Sequence, residues 1–166
     1  MSKQLGRLVV DAHKCTGCNL CEISCSFFHE KIFDPTVARI WVIKKEAEGI
    51  DYPVTCRLCL KAPCIEACPV EALFRDDKSD IVRLNSEKCI CCDSCVEACP
   101  FGAITLHPKT KFPLVCDLCE GNPACVKKCV TGALRYIPIG RAIDLKARKT
   151  VDSISRSILR SWGVKK

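Results

Sequence analysis

The chain carries 17 cysteines in 166 residues, and they are bunched rather than spread. Cys15, Cys18, Cys21 and Cys25 are spaced C-x2-C-x2-C-x3-C. Cys56, Cys59, Cys64 and Cys68 are spaced C-x2-C-x4-C-x3-C and followed by Pro69. Cys89, Cys92, Cys95 and Cys99 repeat the tight spacing before Pro100. Cys116, Cys119, Cys125 and Cys129 use C-x2-C-x5-C-x3-C before Val130, which leaves Cys91 over. Thiols this frequent allow a disulfide scaffold or a metalloprotein. The opening MSKQLGRLVVDAHK lacks the basic and apolar regions of a secretory signal. A cytoplasmic location is therefore expected, where structural disulfides are rare. No run approaches the roughly 18 apolar residues of a membrane span.

The spacing points to iron and inorganic sulfur. Three thiolates two residues apart can curl round one face of a cubane, while the fourth leaves the loop on a helical turn. In two-cluster bacterial ferredoxins that fourth cysteine ligates the other cluster. Zinc ribbons, the competing class, need two C-x2-C pairs per ion with a longer spacer between them. The x3 arm in every group favours four [4Fe–4S] clusters over a zinc-binding interaction module. Prolines at 69 and 100 suit the end of the helical turn, since proline cannot continue a helix. With cysteine set aside and aromatics at only 6%, little apolar material remains for a core. Cluster binding is expected to supply much of the folding free energy.

The sequence also repeats itself. VVDAHKCTGCNLCEISC resembles VRLNSEKCICCDSCVEAC, and CRLCLKAPCIEACPVEAL resembles CDLCEGNPACVKKCVTGAL. Each half, roughly 1–84 and 85–140, carries a tight group and then a wide one, so a pseudo-twofold pair is expected. Short strand-like runs cover 72–74, 81–84, 103–106, 112–115 and 133–137, and another covers 39–43 in the insert between the first two groups. The expected fold is α+β, a tandem bacterial-ferredoxin-like arrangement of short strands and short helices around clusters. Residues 141–166 carry eight Lys or Arg against two Asp. Ala147, Val151, Ile154, Ile158 and Trp162 form an apolar stripe there at helical period. This basic amphipathic helix is expected to pack on its own domain or a neighbouring subunit. Membrane-surface docking and nucleic-acid binding are the lesser readings, the latter because no recognition motif accompanies the charge.

The four groups, their order and the wide fourth spacing resemble the four-cluster ferredoxin-like electron-transfer subunits. These accompany molybdenum and tungsten oxidoreductases such as dimethyl sulfoxide reductase and formate dehydrogenase. The resemblance covers roughly residues 7–139, and -GNPACVKKCVTGALRYI- looks most like the small partners of tungsten-type aldehyde oxidoreductases. It implies that the first group exchanges its last cysteine with the fourth, and the second with the third. Carried over, the four ligand sets are Cys15, Cys18, Cys21 with Cys129; Cys116, Cys119, Cys125 with Cys25; Cys56, Cys59, Cys64 with Cys99; and Cys89, Cys92, Cys95 with Cys68. Val130 and Ser26 stand where the family commonly has proline, and neither change removes a ligand. The implied partners are a large molybdenum- or tungsten-cofactor catalytic subunit and a second electron carrier or flavin subunit. Stacking of copies into longer chains is compatible with such a wire.

Function follows from saturation. Four complete groups leave no iron corner open for substrate, and the chain lacks Gly-rich nucleotide, HExxH and Walker patterns. The expected role is a protein wire, not a catalyst; a free-standing polyferredoxin is the alternative. Arg57, Lys61, Lys88, Lys127 and Lys128 are candidates for tuning reduction through charge and hydrogen bonds to sulfur. Cys91 reads as a small buried or half-buried thiol. His13, His29 and His107 show no ligand spacing and read as structural or surface groups. Phe27, Phe28 and Trp41 read as screens between clusters and water.

Overall fold

The computed structural model describes residues 6–138, so the stripe at 141–166 lies outside the described residues. Regular elements are brief. The strands are β1 (Gly6–Val10), β2 (Trp41–Lys45), β3 (Ile50–Val54), β4 (Leu73–Arg75), β5 (Val82–Leu84), β6 (Thr105–Leu106), β7 (Pro113–Leu114) and β8 (Leu134–Pro138). The helices are α1 (Leu20–Glu30), α2 (Pro63–Glu66), α3 (Ser94–Glu97) and α4 (Ala124–Lys127). This is a small α+β fold of two-stranded ribbons with cysteine loops between them.

The strands pair antiparallel as β1 with β8, β2 with β3, β4 with β5, and β6 with β7. The helices pack as α1 on α4 and α2 on α3. Pairing therefore runs across the two sequence halves as well as within them. The first and fourth cysteine groups, outermost in the sequence, share one layer of structure (the outer layer), and the second and third share the other (the inner layer). Leu8, Ile40, Leu58, Leu118 and Leu134 form the outer core together with Cys21, Cys25 and Cys125. Leu73, Val82, Ile104 and Val115 form the inner core with Cys95. A third core joins Tyr52, Val54, Phe101 and Ala103 across the two layers.

Helix length differs between the groups, and proline after the fourth cysteine is only part of the reason. Pro69 and Pro100 come after α2 and α3, which last a single turn. Ser26 permits continuation, so α1 runs to Glu30 and ends at Lys31, whose left-handed backbone (φ +59°) lets its N–H reach the Phe27 carbonyl at 3.1 Å. Val130 does not prolong α4, because the chain turns through Gly132 at φ +68° and its N–H bonds to the Cys129 carbonyl.

The run 50–54 carries Pro53 and Asp51, a composition that hides a strand, yet it forms β3. Val42 lies opposite Pro53, and its N–H instead donates to the buried Glu22 carboxylate on α1 at 2.6 Å. A two-stranded ribbon has only edges, so proline costs no ladder bond at such an outward position. The Val42–Glu22 bond also fixes the insert hairpin to the helix that bears Cys21 and Cys25.

Candidate metal centres

Each group begins with a loop and ends on a helix. Cys21, Cys64, Cys95 and Cys125 are all the second residue of their helix. The second residue after each first cysteine takes a left-handed backbone: Gly17 (φ +61°), Leu58 (φ +47°), Cys91 (φ +53°) and Leu118 (φ +57°). Left-handed residues within such turns gather backbone N–H groups into anion-binding concavities, a geometry used at many iron–sulfur sites. Cys91 thus occupies in the third loop the place Gly17 takes in the first. Gly17 is further constrained, since a Cβ there would lie 2.6 Å from an Asp51 carboxylate oxygen. Gly17→Ala is expected to lower the stability of the iron-loaded chain by about 1–2 kcal/mol from backbone strain alone, read as a fall in melting temperature. An unchanged melting temperature would show that this loop tolerates a side chain.

The fourth cysteine of every group accepts a main-chain hydrogen bond. Arg39 N–H donates to Cys25 Sγ at 3.2 Å, Ala72 to Cys68 at 3.2 Å, Ala103 to Cys99 at 3.3 Å and Leu134 to Cys129 at 3.3 Å. Burial opposes ionisation of Cys68 and Cys129, but the surrounding N–H groups prevail and hold both thiols below the ordinary value. The deeper thiols are pushed the other way. Burial raises Cys21 and Cys125 to about 12, and Cys25, Cys56, Cys64 and Cys95 to about 11.

Neighbouring thiolates add to the effect of burial, and their identities map which sulfurs lie near each other. Cys15 is raised by Cys18 and Cys129; Cys125 by Cys25 and Cys119; Cys64 by Cys99 and Cys59; Cys95 by Cys89, Cys68 and Cys92. Across layers, Cys116 is raised first by burial and then by Cys56. Converging thiols that resist ionisation on their own call for a cationic core, and the N–H-lined loops suit the net negative charge of that core with its four thiolates. The residues present fit [4Fe–4S] clusters.

The surroundings differ from the expected ones in several places. Of the five candidate tuning cations only Arg57 is buried, at 8% exposure, with its guanidinium on the Tyr52 hydroxyl; the four lysines are exposed. Arg7 and Arg39 are not legible as neighbours from sequence. Arg7 favours the Cys56 thiolate, and Arg39 favours those of Cys25 and Cys119. Phe27 and Phe28 are exposed rather than buried over the cysteines, and Phe27 stacks on Phe33, itself 71% exposed, at 4.8 Å. They sit where α1 runs on past its cysteines into solvent. Trp41 does cover the inner loops, with its Nε1–H on the Gly102 carbonyl at 2.9 Å and its ring in the core that holds Cys59 and Cys99.

Among the histidines, His13 is exposed, and His107 Nδ1 accepts N–H bonds from Lys109 and Thr110 in the β6–β7 turn. The His29 side chain is largely covered, with Nε2 3.4 Å from Asp117 Oδ1 and 3.8 Å from Cys119 Sγ. Burial and then Arg39 hold it below its ordinary value. Its position one turn after Cys25 is the only signal of this in the sequence. The buried Ala72, Ala103 and Ala133 have a clearer one, recurring four residues after the last cysteine of three groups.

Residues 48–138 match the model of the 4Fe-4S dicluster domain. The chain belongs to this family. It therefore binds multiple [4Fe–4S] clusters, and the zinc reading falls. A relative from Pyrococcus furiosus, the polyferredoxin-like subunit of aliphatic sulfonate oxidoreductase, is 46% identical over 162 residues and 91% of each chain. The Escherichia coli protein NrfC is 34% identical over 144 residues, which cover 78% of this chain and 63% of NrfC. A chain of the active site complex BamBC of benzoyl coenzyme A reductase shares the fold, with a TM-score of 0.50 and 24% identity over 97% of this chain and 98% of that one. Among the described residues of this family member, no helix is long and apolar enough to cross a membrane.

Proposed function

We propose that this chain is the electron-transfer subunit of an oxidoreductase complex, holding four [4Fe–4S] clusters in four exchanged ligand sets, first group with fourth and second with third. The observation that carries the reading is the company each fourth cysteine keeps. Cys129 acts on Cys15, Cys25 on Cys125, Cys99 on Cys64 and Cys68 on Cys95, so each fourth cysteine has a neighbour in a sequence group other than its own. When bound, such clusters supply one-electron reduction and oxidation. The protein's part is to saturate them with thiolate, donate N–H bonds to four of the sulfurs, and exclude water from the interior. The approach of Cys56 and Cys116 to one another supports a row in which outer and inner sets meet in the middle. Cys18 and Cys92 are exposed and belong to the two remaining sets, which suits them to the ends of the row.

The partner on this reading is a molybdenum- or tungsten-cofactor oxidoreductase of the aldehyde oxidoreductase type, with a second carrier at the other end. The family resemblance and the role of the Pyrococcus furiosus relative as an oxidoreductase subunit support it. Anaerobic purification from the native host is the test. About sixteen irons per chain are expected from four complete sets of this type, together with a co-purifying large subunit that contains molybdenum or tungsten. Fewer than about twelve irons would overturn the four-cluster arrangement. A fully loaded chain that elutes alone would favour a free-standing polyferredoxin.

A further inference from the structure

The outer and inner layers are joined by a charged bridge that the relay does not itself require. Asp80 closes the turn between β4 and β5 in a left-handed conformation (φ +54°). Its carboxylate accepts from Arg7 Nη2 on β1 at 3.3 Å and from Arg75 Nη1 on β4 at 3.0 Å. Arg75 Nη1 also donates to the Asp80 carbonyl at 3.0 Å, and its Nη2 reaches the carbonyl of Cys59. One carboxylate thus connects a strand of the outer layer to a cysteine loop of the inner one. The adjoining residues divide in the same way, with Ile81 in the outer core and Val82 in the inner core. Arg7 is only 8% exposed. The Asp80 side chain is half-buried, at 30% exposure, so the pair is partly sheltered from water and screened less by salt than a fully exposed one.

We propose that Asp80 is a positioning residue that fixes the spacing between the outer and inner ligand sets by gripping Arg7 and Arg75 together. Arg7 also favours the Cys56 thiolate, at the junction where Cys56 and Cys116 approach. On the four-cluster reading, the bridge therefore lies beside the place where the cysteines of the two layers approach. The inference rests on the four-cluster reading, whose failure would already appear in the iron content of the unaltered protein.

The test uses the full chain, anaerobically loaded and fully reduced, and compares Asp80→Asn with Asp80→Glu. Electron paramagnetic resonance of adjacent reduced clusters carries a spin–spin interaction that weakens steeply with separation. Asp80→Asn is expected to keep its iron and lose the part of that interaction linking outer to inner sets, while Asp80→Glu restores it. An unchanged interaction in Asp80→Asn overturns the proposal, as does equal loss in both variants. If Asp80→Asn does not retain iron, Arg7→Lys and Arg75→Lys replace it; each keeps the charge but loses the planar fork. Both are then expected to weaken the same signal, and no change in either counts against the bridge.

Discussion

Serine at position 129 is expected to leave Cys15, Cys18 and Cys21 without a complete ligand set, although they stand at the opposite end of the chain. The loss is about four irons, and the thiols that become open to alkylation under anaerobic conditions are those three. Cys25→Ser is expected to give the mirror result and expose Cys116, Cys119 and Cys125. The structural basis is the pairing of β1 with β8 and the packing of α1 on α4, which carry the first and last groups to one place. Mass-spectrometric mapping of alkylated cysteines separates this from the simpler arrangement in which each group holds its own cluster. Under that arrangement Cys129→Ser would open Cys116, Cys119 and Cys125 instead.

The second large effect is on the fold. Removal of iron by oxidation and chelation is expected to abolish the native circular dichroism in both the far and near ultraviolet. The strands contain two to five residues and three of the helices contain four. Such elements are unstable in isolation, because helix nucleation is costly and single hairpins are marginal in water. Cysteines Cys21, Cys25 and Cys125 lie in the outer core itself, so the metal-free chain has sulfur facing sulfur where an ordinary core would have hydrocarbon. Leu58, Cys91 and Leu118 also hold left-handed conformations, each worth roughly 1–2 kcal/mol of strain for a residue with a side chain. Without clusters nothing offsets that cost. Retention of a cooperative thermal transition after complete iron removal would show that packing alone suffices.

Much of the architecture is legible in the cysteine spacing. The x3 arm announces a helical turn in every group, and each turn is present with its third cysteine at the second helical position. Strands near 73, 82, 105, 113 and 134 come from short apolar runs bounded by turn residues. β3 is hidden because Pro53 argues against a strand, and only the two-stranded context makes it harmless. The length of α1 is half visible: Ser26 in place of proline removes the stop, but no local signal says the helix will reach Glu30. Arg7, Arg39 and Asp80 are invisible in the sequence, since their significance comes from contacts between segments far apart along the chain. Phe27 and Phe28 mislead for the opposite reason. Their proximity to a ligand in sequence says nothing about which side of a helix faces water.

The closure of β1 on β8 bears on how the molecule comes into being. During synthesis the inner groups leave the ribosome together, separated only by the β4–β5 hairpin, and can be filled while the chain is still growing. On the exchanged ligand sets proposed above, the first group waits, with its last partner untranslated, until nearly the whole polypeptide has emerged. Maturation on that pairing is expected to run from the centre of the sequence outward, and a nascent chain stalled before residue 129 would carry three open thiols to whatever machinery delivers iron.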